Sequence, residues 1–133
     1  MLKKIIWNND YCIGISKIDS QHCKIINQIN YLIDNLNSED KAYLNGEIIR
    51  NLDKYSKEHF FTEEEFLRKI NYPNLEDHLK LHQAFKMNTI KSAISVLKGN
   101  EHVPEETIKF LKNWWSNHIL KADMEFKNFI PKS

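Results

Sequence analysis

The sequence predicts an all-α protein, an antiparallel up-down-up-down four-helix bundle with an irregular N-terminal arm. Two observations predict this fold class. Apolar residues recur over long stretches at the three-then-four spacing of one helix face. Only three glycines and three prolines interrupt the 133 residues, which indicates long elements with short joins. Short connections between four amphipathic helices favour the up-down arrangement.

We predict one domain over residues 1–133, because the chain has the length of an ordinary domain with its own core. The predicted parts are an arm over 1–18, bundle helices over 19–37, 40–71, 74–98 and 104–121, and a C-terminal segment over 122–133. The arm is expected to pack across the bundle through Trp7, Tyr11 and Ile15.

The first two helices are predicted from apolar stripes. Asp19 is expected to be the N-cap of the first helix. Its inward stripe is His22, Ile25, Ile26, Ile29, Leu32, Ile33 and Leu36. The second helix should begin near residues 38–40 and end before Pro73, because helix is disfavoured at a residue that precedes proline. Its stripe is Leu44, Ile48, Leu52, Tyr55, His59, Glu63, Phe66 and Ile70.

The last two helices follow the same logic. Gly99 is expected to terminate the third helix, and Pro104 suits the first turn of the fourth. The third stripe is Leu75, His78, His82, Phe85, Thr89 and Val96. The fourth stripe is Ile108, Leu111, Trp115 and His118.

Composition excludes several classes of function. The formal net charge is +1, with 19 basic and 18 acidic residues interspersed, so no basic surface for nucleic acid is expected. No run of 18 apolar residues occurs, so we expect no membrane anchor. Cys12 and Cys23 are too few for a disulfide framework and lack Cys-x-x-Cys spacing. We therefore expect a soluble cytoplasmic protein with reduced thiols, and the sequence does not identify a protein partner.

Five of the six histidines interrupt the apolar stripes. His59 and Glu63 are four residues apart, as are His78 and His82, and each pair is offset by only about 40° around its helix. His22 and His118 lie on the inward faces of the first and fourth helices. All four helices are thus predicted to send an imidazole into the same interior.

Any one of these residues, taken alone, is better explained as an ordinary core or surface residue. The set is harder to explain in that way. Burying a carboxylate among imidazoles costs several kcal/mol per uncompensated charge, on the order given by ion desolvation, and no lysine or arginine lies on the inward stripes. A bound cation would compensate this charge.

The number of donors predicts two metal ions. Five imidazoles and the carboxylates of Glu63 and Asp123 exceed the four ligands of a tetrahedral zinc site. Mixed imidazole and carboxylate donors suit iron or a neighbouring metal, while copper and zinc stay open. His118 and Asp123 are five residues apart, offset by about 140° on a regular helix. We therefore predict that the helix ends or widens into a π-type turn between Ile119 and Asp123.

The ordered series His22, His59-x-x-x-Glu63, His78-x-x-x-His82 and His118-x-x-x-x-Asp123 resembles the ligand series of the hemerythrin family. The stretch Ile18-Asp19-Ser20-Gln21-His22 and the pair Trp114-Trp115 before His118 are also similar to bacterial members. The resemblance covers nearly the whole chain, and no ligand position is missing.

The resemblance implies a di-iron centre bridged by carboxylates and by an oxo or hydroxo group. It implies that His78, His82 and His118 hold one iron, that His22 and His59 hold the other, and that Glu63 and Asp123 bridge. It also implies that O2 binds at a vacant position on the two-histidine iron. Candidate pocket walls, for which plain core packing is an equal explanation, are Ile119, Trp115, Phe60, Ile26 and Leu81.

The function that we predict is reversible O2 binding for storage, transport or delivery, without catalysis. The chain lacks the Glu-x-x-His motifs of oxidising di-iron carboxylate bundles. The alternatives are an oxygen or redox sensor, an enzyme acting on peroxide, nitric oxide or ferrous iron, and a zinc-stabilised structural bundle. His102 is expected at the surface, Cys23 is expected to pack rather than ligate, and Cys12 has no assigned role.

Overall fold

The computed structural model describes residues 2–36, 38, 42–96 and 105–131, with backbone alone for 42, 43 and 89–96. Its helices are a 3-10 turn at Asn9–Tyr11, α1 at Ser16–Asp34, α2 at Ala42–Lys69, α3 at Leu75–Val96, α4 at Glu105–Asn117, a π-helical segment at His118–Asp123 and α5 at Met124–Lys127. The described residues contain no strand. The all-α four-helix bundle predicted from the sequence is confirmed.

The N-terminal arm is shorter than predicted, and Asp19 is not the N-cap of α1. The helix begins at Ser16 and its N-cap is Ile15, whose side chain cannot cap. Asp19 instead lies in the first turn, and its carboxylate accepts hydrogen bonds from the backbone N–H groups of Ile13, at 2.8 Å, and Gly14, at 3.1 Å. Gly14 has a φ of 92°, a backbone conformation that favours glycine. The predicted N-cap carboxylate thus fastens the arm to the helix.

The rest of the arm packs on the bundle largely as predicted. Tyr11 is buried, and the ring of Trp7 stacks on it with centroids 5.4 Å apart. Ile5 is also buried, and its backbone exchanges two hydrogen bonds of 2.8 Å with the side chain of Asn30 in α1.

The buried face of α2 differs from the predicted stripe at its start. Leu44 is 43% exposed, whereas Asn45 and Ile49 are buried. The predicted spacing of four residues, taken twice from Leu44 to Leu52, accumulates a rotation of about 80°. Steps that alternate between four and three residues return to the same side of the helix. The residues buried on that side are Asn45, Ile49, Leu52, Ser56, His59 and Glu63.

The turn between α2 and α3 confirms the predicted helix end before Pro73. Helix α2 ends at Lys69, and Asn71 has a φ of 55°, a left-handed conformation that asparagine tolerates at a helix end. The backbone N–H of Tyr72 then donates to the carbonyl of Leu67 at 3.0 Å. Tyr72 is buried there.

The π-type widening predicted in the fourth helix is confirmed. The π segment follows α4 without a break and returns to α-helix at Met124. The expectations for residues 39–40, Gly99, His102 and Pro104 lie outside the described residues. Among the helices of the described ranges, none combines the length and apolar character that a membrane crossing requires.

Candidate metal centre

Each bundle helix contributes side chains to one buried cluster. Helix α1 provides His22, α2 provides His59 and Glu63, α3 provides His78 and His82, and the π segment provides His118 and Asp123. All of them are at most 5% exposed. The structure therefore brings together every residue that the sequence singled out for metal.

The cluster divides into two groups of donors. One group contains Glu63, His78, His82 and His118. The other contains His22, His59, Glu63 and Asp123. Within each group, one donor atom per residue lies within 4.8 Å of all the others, a separation suited to one ion at each centre.

Glu63 connects the two groups, because each of its oxygens faces a different one. Oε1 contacts Nε2 of His78, lies 3.1 Å from Nε2 of His82, and lies 3.6 Å from Nε2 of His118. Oε2 lies 3.1 Å from Nε2 of His59 and 3.7 Å from Nε2 of His22. A carboxylate placed in this way can bridge two ions.

Asp123 repeats the arrangement from the π segment. Its Oδ1 lies 3.1 Å from Nε2 of His118 and 3.3 Å from Nε2 of His78. Its Oδ2 lies 3.0 Å from Nε2 of His22. The wider turn brings Asp123 and His118 to the same side despite their five-residue separation.

Pairs of imidazole nitrogens face each other across the centre. Nε2 of His22 lies 2.9 Å from Nε2 of His59, and Nε2 of His82 lies 3.2 Å from Nε2 of His118. At the outer side, Nδ1–H of His59 donates to Oε1 of Gln21 at 2.8 Å. A neutral ring that donates through Nδ1 has a lone pair on Nε2. The lone pair of His59 thus points into the cluster, where a cation would accept it.

His82 is held in the same way, because its Nδ1–H donates to the carboxylate of Glu64 at 2.9 Å. The roles of Gln21 and Glu64 were not predicted from the sequence. Gln21 and Glu64 directly follow or precede no ligand that they contact, since each is adjacent in sequence to one ligand and bonds a ligand on another helix. Their roles could be assigned only after the orientation of each helix about its own axis was known. Such outer partners commonly fix the orientation of metal-binding imidazoles.

Three of the four carboxylate oxygens have no hydrogen-bond partner, and the exception is Oε1 of Glu63, which pairs with Nε2 of His78 and of His82. Oε2 of Glu63 and both oxygens of Asp123 are buried without a hydrogen-bond partner, although ring nitrogens lie 3.0–3.3 Å away. Buried polar atoms are almost always satisfied in native proteins. Buried carboxylate oxygens without a hydrogen-bond partner, amid converging ring nitrogens, fit a pair of bound cations.

Without metal, the cluster keeps its carboxylates ionised and part of its imidazoles protonated. Burial lowers the pKa of His22, but the nearby carboxylates of Asp123 and Glu63 outweigh it and raise the pKa to about 9. Burial is likewise outweighed for His118, where Asp123 raises the pKa to about 10. Burial lowers the pKa of His59. Although burial acts in the opposite direction, the imidazoles of His59, His118 and His22 lower the pKa of Glu63, and His118 lowers the pKa of Asp123.

An aromatic shell surrounds the cluster. Phe60 stacks on His82 at 4.0 Å between ring centroids, and Trp114 stacks on His118 at 4.4 Å. Of the predicted pocket walls, Phe60, Trp115, Ile26 and Ile119 are buried in the apolar core. Leu81 is 43% exposed, so its assignment as a wall was wrong. It lies one residue before His82, about 100° around the helix, and lines a surface cavity of about 370 Å³ together with Trp114 and His118.

A four-helix bundle that buries five imidazoles and two carboxylates in two adjoining groups of donors is typical of a non-haem protein with a dinuclear metal site. Residues 13–130 match the family profile of the Hemerythrin HHE cation binding domain. The chain belongs to the hemerythrin family, and its cofactor is accordingly a di-iron centre, for which the described cluster is suited.

Individual relatives agree with this assignment. The chain is 31% identical to a bacteriohemerythrin of Stenotrophomonas maltophilia over 95% of its length and 81% of the relative. It is 30% identical to a bacteriohemerythrin of Clostridium acetobutylicum over 91% of its length and 97% of the relative. The fold also matches a crystal structure of wild-type hemerythrin with a TM-score of 0.81, 23% identity, and coverage of 93% of this chain and 95% of the other.

Proposed function

We propose that this protein binds O2 reversibly at a di-iron centre held by His22, His59, Glu63, His78, His82, His118 and Asp123. The observation that supports the ligand set is the placement of one oxygen of each carboxylate toward each group of imidazoles. His78, His82 and His118 would hold one iron, and His22 and His59 the other. An oxo or hydroxo group derived from solvent would complete the bridge.

The unequal division of imidazoles supports a binding position on one side only. Three imidazoles face Oε1 of Glu63, whereas two face Oε2. With both carboxylates shared, the two-histidine iron has one protein donor fewer than its neighbour. We propose that O2 is taken up on the side of His22 and His59, where the iron pair, when bound, would supply a coordination position and reducing electrons.

The protein surroundings favour binding over oxidative catalysis. Neutral imidazoles outnumber carboxylates in the cluster, and they donate less charge to iron than carboxylates do. The buried rings of Phe60 and Trp115 keep water away from the two-histidine side. Gln21 and Glu64 hold His59 and His82 in fixed orientations, so the site is organised before the ligand arrives.

Storage, transport or delivery of O2 within the cytoplasm is the role that we propose. Cys12 and Cys23 are both free thiols, as expected in a reducing compartment. The apolar surroundings of the cluster suit a small ligand such as O2. A protein partner is not part of the proposal.

Visible absorption spectroscopy tests the function. The iron-loaded, reduced protein would be recorded without oxygen, after admission of air, and again after removal of oxygen. We expect a charge-transfer band that appears with air and disappears on deoxygenation, over several cycles and with constant iron content. A band that appears once and cannot be reversed, or continued consumption of added peroxide, would replace reversible binding with an enzymatic or sensing role.

A further inference from the structure

Trp115 has a buried hydrogen-bond donor without an acceptor. The side chain is 0% exposed, and its indole Nε1–H has no hydrogen-bond partner. The indole nitrogen can only donate, and buried tryptophans usually find an acceptor for it.

The unpartnered donor belongs to a ring beside the two-histidine group. The ring centroid of Trp115 lies 5.6 Å from that of His59, 6.3 Å from that of His22 and 6.2 Å from that of His118, so its shortest contact with the cluster is to the two-histidine group. Its face is covered by Phe60, which stacks on it at 5.5 Å with an interplanar angle of 12°. Phe85 lies 5.4 Å away at a steep angle. The surroundings are therefore apolar and dry, apart from the metal-binding groups.

We propose that the indole Nε1–H of Trp115 donates a hydrogen bond to a small ligand that occupies the open position on the two-histidine side. This inference rests on the proposed function, because that function places the open position beside His22 and His59. A ligand that gains negative charge there becomes a good acceptor, and hydrogen bonds to charged acceptors are the stronger kind. In an apolar setting the bond is strengthened further. Trp115 would thus select ligands that carry negative charge over neutral ones of the same size.

Azide is a suitable probe, because it is a small linear anion that binds ferric iron and has a strong infrared stretch. Its affinity for the iron-loaded, oxidised protein would be measured by visible titration in the wild type, Trp115→Phe and Trp115→Leu. We expect about ten-fold weaker binding in either variant that retains the wild-type iron content, the size of one lost hydrogen bond to a charged group. The matched control is Trp7→Phe, which changes the same residue type in the arm and should bind azide as the wild type does.

The infrared stretch of bound azide separates a hydrogen bond from a change of packing. In the wild type we expect the band to shift between H2O and D2O, and in both Trp115 variants we expect this isotope shift to become smaller. A wild-type band without an isotope shift would overturn the inference, as would an unchanged shift and affinity in the variants. A wild-type protein that binds no pair of irons would overturn the proposed function itself, which is a different result.

Discussion

At the scale of single residues, the carboxylates of Glu63 and Asp123 decide whether two ions can share the cluster. Asp123 presents Oδ1 to His118 and His78, at 3.1 and 3.3 Å, and Oδ2 to His22, at 3.0 Å, so that it faces both groups of imidazoles. Glu63 does the same from α2. An amide in either place offers one carbonyl oxygen and one N–H₂ group, which cannot donate electrons to a metal.

Glu63→Gln and Asp123→Asn should therefore each lower the iron content from two ions per chain to one or fewer, because the bridge is lost while the side chain keeps its size. Iron per chain would be measured after anaerobic loading and desalting. Glu65→Gln is the matched control, since Glu65 lies two residues away on α2, exposed and paired with Arg68. Full iron content in both bridge variants would refute the ligand assignment.

We expect Glu64 to affect iron binding by orienting His82 and not by binding iron itself. Its carboxylate accepts the Nδ1–H of His82 and so fixes the ring. We expect Glu64→Ala to weaken iron binding about ten- to a hundred-fold, the usual effect of removing an outer partner of a metal-binding imidazole. Competition with a chelator measures the affinity. Glu65→Ala is the control, and equal affinities in the two variants would show that Glu64 has no positioning role.

At the scale of elements, helix periodicity predicted the site better than it predicted the helix ends. The His59–Glu63 and His78–His82 pairs could be placed on inward faces because a four-residue step leaves only about 40° between side chains. The five-residue step from His118 to Asp123 predicted the π segment, because on a regular helix the two could not meet. Histidines and carboxylates that occur at the helical spacing of core residues therefore predicted the site better than the apolar residues predicted the buried faces.

The remaining differences have local causes that the sequence pattern does not show. Leu44 and Leu81 are both apolar and both exposed, because helix rotation relative to the bundle axis, not residue type, decides which face is buried. Gln21 and Glu64 could not be assigned as partners of His59 and His82 because those contacts join different helices. Asp19 fits an N-cap pattern, but its carboxylate bonds the arm instead.

The connection between the arm and α1 gives a prediction about stability. Asp19→Ala removes both hydrogen bonds to the backbone N–H groups of Ile13 and Gly14, of which that of Ile13 is partly buried. We expect the free energy of unfolding to fall by about 1–3 kcal/mol, the range for hydrogen bonds to a charged group. Urea denaturation measures this change. Asp10→Ala, in the exposed part of the arm, is the control and should have little effect, and equal stability of the two variants would contradict the role of Asp19.

At the scale of the whole molecule, the metal-binding cluster lies between two apolar clusters of the bundle. Along α1, Ile18 belongs to one apolar cluster and Ile25 to the other, with His22 between them. Along α2, Phe60 and Leu67 belong to different clusters in the same way, with Glu63 between them. The packing of the four helices therefore depends on the charges of the buried histidine, glutamate and aspartate side chains in this layer.

This dependence predicts how pH changes the stability of the metal-free protein. The pKa values of His22 and His118 are raised from 6.5 to about 9 and about 10 on folding, so their stabilising contribution is complete below pH 6.5 and is lost as the pH rises through 9 and 10. Glu63 and Asp123 have lowered pKa values, so their contribution is lost only as the pH falls below the ordinary range of carboxylic acids. We expect the free energy of unfolding to decrease from pH 7 to pH 10.

Denaturant unfolding at several pH values, with chelator present, measures this effect. The variant His118→Asn should flatten the dependence, because it removes the group with the higher pKa. Iron binding should show the opposite trend and strengthen over the same interval, since the imidazoles must lose their protons to bind metal. Stability that is constant from pH 7 to pH 10 would contradict the charge state that we assign to the metal-free cluster.

The central claim is that the two groups of donors hold two iron ions side by side within the bundle. A crystal structure of the iron-loaded protein, with anomalous diffraction measured at the iron absorption edge, tests it most directly. We expect two anomalous peaks, one among the Nε2 atoms of His78, His82 and His118 and one between those of His22 and His59, with Glu63 and Asp123 spanning both. A single peak, or peaks outside this cluster, would contradict the account.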